Sequence, residues 1–167
     1  LAAAIGAGLP IHEPIGNLIV DIGGGRSEMA VVSMGGVVSG RSVQLGGFDL
    51  DVAIQEDIRE RYGVAIGEKA AEEIKIAIGS AFPSSTGKAA VVTGRELATG
   101  NTVEITVSED EVRQAMSGTV RDIVDTARLC LAEAPPELTH DILETGLFLT
   151  GGGSMLRGID MLLAQEC

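Results

Sequence analysis

The chain has 167 residues, 45 % of them hydrophobic, with no tryptophan, one tyrosine and three phenylalanines, so it suits one domain, or one domain with a sizeable insertion, around an aliphatic core. Its net charge of −12 argues against a nucleic-acid partner and against a polybasic membrane surface, because 24 acids set against 12 bases repel phosphate. Cys130 and Cys167 offer no disulfide framework and read as reduced thiols of a cytosolic protein, and no stretch reaches membrane-spanning length without charge or glycine.

Residues 1–7 read as the end of a small-residue helix stopped by Gly8, with Pro10 just beyond. A start inside a helix without a basic leader, together with an abrupt end, reads as a piece of a larger chain and not as a signal peptide. Strands are predicted over 17–22, 28–34 and 37–45, the last two joined by a tight turn at Gly35-Gly36. A helix over 49–62 carries the stripe Leu50, Ala53, Ile54 and Ile58 and ends at Gly63; a second runs over 68–78 with Ala71, Ile74 and Ile78 inward. After a polar loop over 83–87, strands are expected at 89–93 and 102–107. Ser108 and Glu111 form a capping box for a long helix whose buried stripe runs from Met116 to Leu131. Pro135-Pro136 opens another helix, ended by Gly146; a strand over 147–150 and a helix over 155–163 complete the order.

Two matched segments carry the chemistry. Asp21-Ile22-Gly23-Gly24-Gly25 and Thr150-Gly151-Gly152-Gly153-Ser154 each end an apolar strand in three glycines, which let backbone N–H groups approach an anion closely. An aspartate at the mouth of the first is placed to hold a metal through water beside a phosphate; the plain alternative is an acidic hairpin turn. The first segment is neither a Walker loop nor a dinucleotide fingerprint, since no Gly-Lys-Ser/Thr and no Gly-x-Gly-x-x-Gly occurs there. The second precedes a helix, whose N-terminus favours an anion; the plain alternative is an N-cap by Ser154. Glu72 and Lys75 are neighbours on one helix, either a weak ion pair or a contact to ribose and base. His12 and His140 are isolated and no serine near them sits in a nucleophile elbow, which argues against nucleophilic catalysis.

Taken together the segments resemble the actin-like ATPase superfamily, which also holds sugar kinases and heat-shock chaperone ATPases. Asp21–Gly25 with Ser27-Glu28 looks like its second phosphate motif, Leu147–Gly153 with Ser154 like its adenosine motif, and residues 2–8 like its first connecting helix. The stretches 66–76 and 78–81, with Pro135-Pro136-Glu137-Leu138 and Leu156-Arg157-Gly158, are similar to the bacterial rod-shape family MreB rather than to chaperones. Arg26 departs from this pattern, which has threonine there.

The resemblance implies an α/β fold: domain II of the actin-like (ribonuclease H-like) architecture, a mixed sheet with flanking helices plus an inserted α+β subdomain. Residues 1–16 would be a connecting helix and loop, 17–63 and 108–167 the nucleotide-binding subdomain, and 64–107 the insertion. The ligands would be ATP and Mg2+. Asp21 would hold the metal through water, with Gly23, Gly24 and Gly25 on the phosphates. Glu72, Glu73, Ile74 and Lys75 would lie at the ribose and base, and Gly151, Gly152, Gly153 and Ser154 along the adenosine. No catalytic residue would belong to this piece, which alone would be inactive although the family hydrolyses ATP slowly. The implied partners are further copies in filaments and the membrane proteins of cell shape and wall synthesis, in the cytoplasm beside the inner membrane. Membrane contact would come through the other half of the protein. A chaperone-like ATPase or sugar kinase, and a non-catalytic module with purely structural glycine turns, are the alternatives.

Overall fold

The branched, alternating residues after Gly16 form β1 (Asn17–Ile22), β2 (Ser27–Ser33) and β3 (Gly36–Val43), an antiparallel meander in a computed structural model that describes residues 1–83 and 87–167. The middle of the predicted 83–87 loop lies outside the described residues. The β2–β3 turn sits on Met34-Gly35, one residue earlier than read from sequence. Gly36 pairs with Ser33 in the ladder, and the Met34 and Gly35 N–H groups donate to the carbonyls of Glu13 and Ile11.

Strand alternation gives β1 two different faces. Leu18, Val20 and Ile22 enter the main core, whereas Ile19 joins Ala4, Leu9, Ile11 and Val32 in a small cluster on the opposite face, beneath α1 (Ala2–Gly6). The main core is closed by α2 (Gly47–Tyr62) and α4 (Glu109–Ala132), which bury Ile54, Ile58, Met116 and Ile123 almost completely. Each such side chain contributes about 1.5–3 kcal/mol by leaving water.

After α2 the chain forms β4 (Val64–Ala65), α3 (Glu68–Ile78), β5 (Ala89–Glu96) and β6 (Thr102–Ser108). The three strands make a second antiparallel sheet, β4-β5-β6. The two-residue β4 was too short to read from sequence, and β5 runs three residues beyond the expected 89–93 because Arg95 and Glu96 pair with β4. The capping box opens α4 as expected: Ser108 N–H donates to Glu111 Oε2 at 2.8 Å, and Glu111 N–H donates to Ser108 Oγ at 3.3 Å. These N–H and hydroxyl donors hold the Glu111 carboxyl below its ordinary range, helped by the Tyr62 hydroxyl at 2.8 Å.

α5 (Pro136–Thr145) leads to β7 (Leu147–Thr150), which lies parallel to β1 with Asp21 opposite Thr150, giving the mixed order β3-β2-β1-β7. The helix expected over 155–163 is corrected. Gly152–Met155 form one 3-10 turn, the chain breaks at 156–158, and α6 spans Ile159–Glu166. The break has a tertiary cause: Ala81 N–H donates to the Arg157 carbonyl at 2.7 Å and Ser80 bridges to Arg157, drawing this segment out of helix and onto the end of α3.

Candidate functional site

Because β1 and β7 are parallel neighbours, the turns that follow them emerge side by side at the carboxyl end of the sheet, where ligands bind in open α/β folds. Both turns line one cavity of about 440 Å³, with Gly23 and Gly24 from the first and Gly152 and Gly153 from the second. Gly47, Phe48 and Leu50 of α2, Glu72, Lys75 and Ile76 of α3, then Gly79, Met155, Leu156 and Arg157 complete its wall.

The first turn is fixed by α2. Gly47 N–H donates to the Gly23 carbonyl at 2.9 Å and Phe48 N–H to the Gly24 carbonyl at 2.7 Å, so two turn carbonyls satisfy the helix N-terminus. A Cβ on Gly24 would meet the exposed Phe48 ring at 2.7 Å, so a side chain there would have to turn that ring aside. Gly23 N–H is spent on the Arg26 carbonyl, but among the described residues nothing accepts from the N–H groups of Gly24 and Gly25. In the second turn the N–H groups of Gly152 and Gly153 are likewise unengaged. Four donors without acceptors among the described residues thus sit at the ends of two adjacent strands, an arrangement suited to an anion.

The remaining predicted residues divide. Ser154 is not a helix N-cap: its hydroxyl donates to the Gly151 carbonyl at 2.6 Å inside the 3-10 turn. That turn still leaves its first N–H groups unpaired, although the α-helix expected to start here begins only at Ile159. Gly25, Gly151 and Ser154 flank the cavity in sequence without lining it. Asp21 is on the β1 face opposite the main core, with its Oδ1 against Gly151; among the described residues its carboxylate has neither hydrogen bond nor ion pair. Glu72 lines the cavity with its carboxylate unpaired among the described residues, whereas Glu73 points outward, 3.8 Å from Lys69, and Ile74 is buried in the core.

Lys75 does not pair with Glu72. Its ammonium lies 2.8 Å from Asp51 Oδ1 and donates to the Gly47 carbonyl at 2.8 Å, tying α3 to the first turn of α2. Asp51 is buried beside the Lys75 ammonium; burial pushes its carboxyl above the ordinary value, against the opposing pull of Lys75. Arg26 spends its charge away from the cavity, on Glu28 at 2.9 Å and the Ser42 hydroxyl at 3.2 Å.

Sequence reasoning missed the apolar part of the wall. Phe48, Ile76 and Met155 are 68 %, 72 % and 85 % exposed, large hydrophobic groups left in solvent around one cavity. The available signal was their position. Phe48 and Ile76 fall off the buried stripes of their helices and, like Met155, lie close to a glycine turn or its supports. Arg157 was also missed; it donates to the Gly79 carbonyl at 3.1 Å and pairs with buried Glu109 at 3.1 Å, closing the base of the cavity.

A divalent cation fits this set in one way. Among the described residues no group of three His, Cys, Asp or Glu could cage a metal, but one uncommitted carboxylate beside two donor turns suits Mg2+, which keeps most of its waters and leans on ligand phosphates.

The whole chain, residues 1–167, matches the family model described as MreB/Mbl protein. The cell shape-determining protein MreB of Escherichia coli is 46 % identical over 166 residues, covering 99 % of this chain and 48 % of its own length. The cell shape-determining protein Mbl of Bacillus cereus is 43 % identical over 164 residues, covering 98 % and 49 %. The crystal structure of MreB5 of Spiroplasma citri bound to ADP superposes with a TM-score of 0.93 at 37 % identity, covering 98 % of this chain and 50 % of that one. Its AMPPNP-bound form does so equally well. The chain therefore spans about half the length of the relatives it matches.

Proposed function

The chain belongs to the MreB/Mbl protein family, and on that premise we propose that it supplies the ATP-binding half of a bacterial actin-like cytoskeletal protein. That protein polymerises into filaments at the inner membrane and maintains rod shape by organising wall synthesis. The observation that carries the nucleotide reading is the cavity shared by two glycine turns with unengaged N–H groups. The ADP and AMPPNP held by the Spiroplasma relative support it. Residues 17–63 and 108–167 form the nucleotide-binding subdomain and 64–107 the insertion.

In this reading the N–H groups of Gly24, Gly25, Gly152 and Gly153 receive phosphate oxygens, and Phe48, Ile76 and Met155 cover the apolar base. Glu72 faces the ribose and base with its free carboxylate, and Lys75 stands beside it on the same wall with its ammonium engaged by Asp51 and Gly47; Glu73 and Ile74 lie between them on the helix. Asp21 would hold a magnesium ion through water, and the metal would supply charge neutralisation for the phosphates. The residues of this reading hold and cover the nucleotide, and the activation of water for ATP hydrolysis to ADP and phosphate is assigned to groups from the opposing half of the cleft.

Calorimetric titration of ATP with magnesium tests this reading. The full-length gene product binds tightly and turns over, whereas residues 1–167 bind in roughly the millimolar range, about −4 kcal/mol, without turnover. Sustained turnover by residues 1–167 refutes the division of labour.

A further inference from the structure

Two carboxylates are buried among the described residues. Glu109 pairs with Arg157 at the base of the cavity; Asp51, only 6 % exposed, has no role in the reading above. Its position explains an anomaly on α3. Glu72 and Lys75 are three residues apart, a spacing at which opposite charges meet on a helix surface. The ammonium instead turns inward, 2.8 Å from Asp51 Oδ1 and 2.8 Å from the Gly47 carbonyl, and Glu72 stays unpaired on the cavity wall.

We infer that Asp51 is a positioning residue for nucleotide recognition: by holding Lys75 against α2, it keeps the Glu72 carboxylate free to accept hydrogen bonds from the ribose hydroxyls. The inference rests on the nucleotide reading of the cavity. An ionised carboxylate is acceptor-only and repels phosphate, so Glu72 serves the part of the ligand that carries donors. The phosphates are left to the glycine turns. A Lys75 released from Asp51 would pair with Glu72 and occupy the same lone pairs.

The test titrates ATP and 2′,3′-dideoxy-ATP into the full-length gene product. The unmodified protein prefers ATP about tenfold, as expected for a hydrogen bond to a charged acceptor. Asp51→Asn brings the two affinities together, and Glu72→Ala does the same. The pair Asp51→Asn with Lys75→Met leaves no ammonium to release and restores the preference, even where affinity for both nucleotides falls. That double variant also removes both buried charges at once, so it folds where the single one does not. A preference unchanged in Asp51→Asn, or lost in the double variant, overturns the positioning role and leaves the nucleotide reading standing. Failure of the unmodified protein to bind either nucleotide overturns that reading and the inference with it.

Discussion

Gly151→Ala and Gly152→Ala, one residue apart in the same turn, have opposite expected outcomes. Gly151 sits at φ 84 and ψ 162, a region that essentially only glycine occupies, which costs a side-chain-bearing residue about 1–3 kcal/mol. A Cβ there also meets the Ile22 carbonyl oxygen, a backbone atom held in the β1 ladder, and Asp21 Oδ1 at 2.5 Å. With strain and collision together, Gly151→Ala destabilises by about 3 kcal/mol, which for a chain of this size lowers Tm by roughly 6–12 °C. A Cβ on Gly152 meets nothing within 4 Å, so Gly152→Ala is neutral or stabilising by about 0.4–1 kcal/mol through the unfolded chain. If a nucleotide approaches the Gly152 N–H closely, that same variant loses ATP affinity while keeping its stability. Urea unfolding with unchanged slope, paired with ATP titration, reads both. Gly151→Ala within about 0.5 kcal/mol of the parent protein, or Gly152→Ala as costly as its neighbour, refutes the backbone argument.

Asp21→Ala in the full-length gene product lowers magnesium-dependent hydrolysis more than ATP affinity, because charge neutralisation matters most in the transition state; equal losses in turnover and calorimetric titration count against the metal role. Ile54→Ala, which empties a site 1 % exposed between helices and sheet, costs about 2–5 kcal/mol in urea unfolding. The Glu111 carboxyl is held below its unfolded value of about 4.5, so its contribution is present above that pH and is lost as pH falls through the folded value. Thermal melts across this acid range show a shallower decline for Glu111→Gln, and an unchanged slope contradicts the assignment.

Local rules made much of the fold legible. Ser108 and Glu111 announced α4, the stripe from Leu50 to Ile58 announced α2, and Gly63 marked where α2 stops. What escaped was decided between distant segments. The helix predicted from Met155 fails because Arg157 is claimed by Ser80 and Ala81, and no pattern near residue 157 records that. The two glycine turns were readable as matched strand ends, and β1–β7 pairing puts them on one cavity. The partner of Lys75 was not readable: helix spacing points to Glu72, whereas the buried carboxylate that takes the lysine comes from another helix. The apolar wall was hidden for the opposite reason. Phe48, Ile76 and Met155 interrupt their local patterns instead of extending them.

The parallel pairing of β1 with β7 also sets a clock. The first donor turn leaves the ribosome about 130 residues ahead of the second, a gap of roughly ten seconds at ordinary synthesis rates. Through that interval β1 has β2 on one side and a bare edge on the other, and no nucleotide can be gripped from both turns. Loop closure between such remote strands comes late in folding, so ligand cannot act as an early template for this chain. It can only lock a sheet in which β1 and β7 have already paired, and the newborn protein must keep the open β1 edge from foreign strands until β7 arrives.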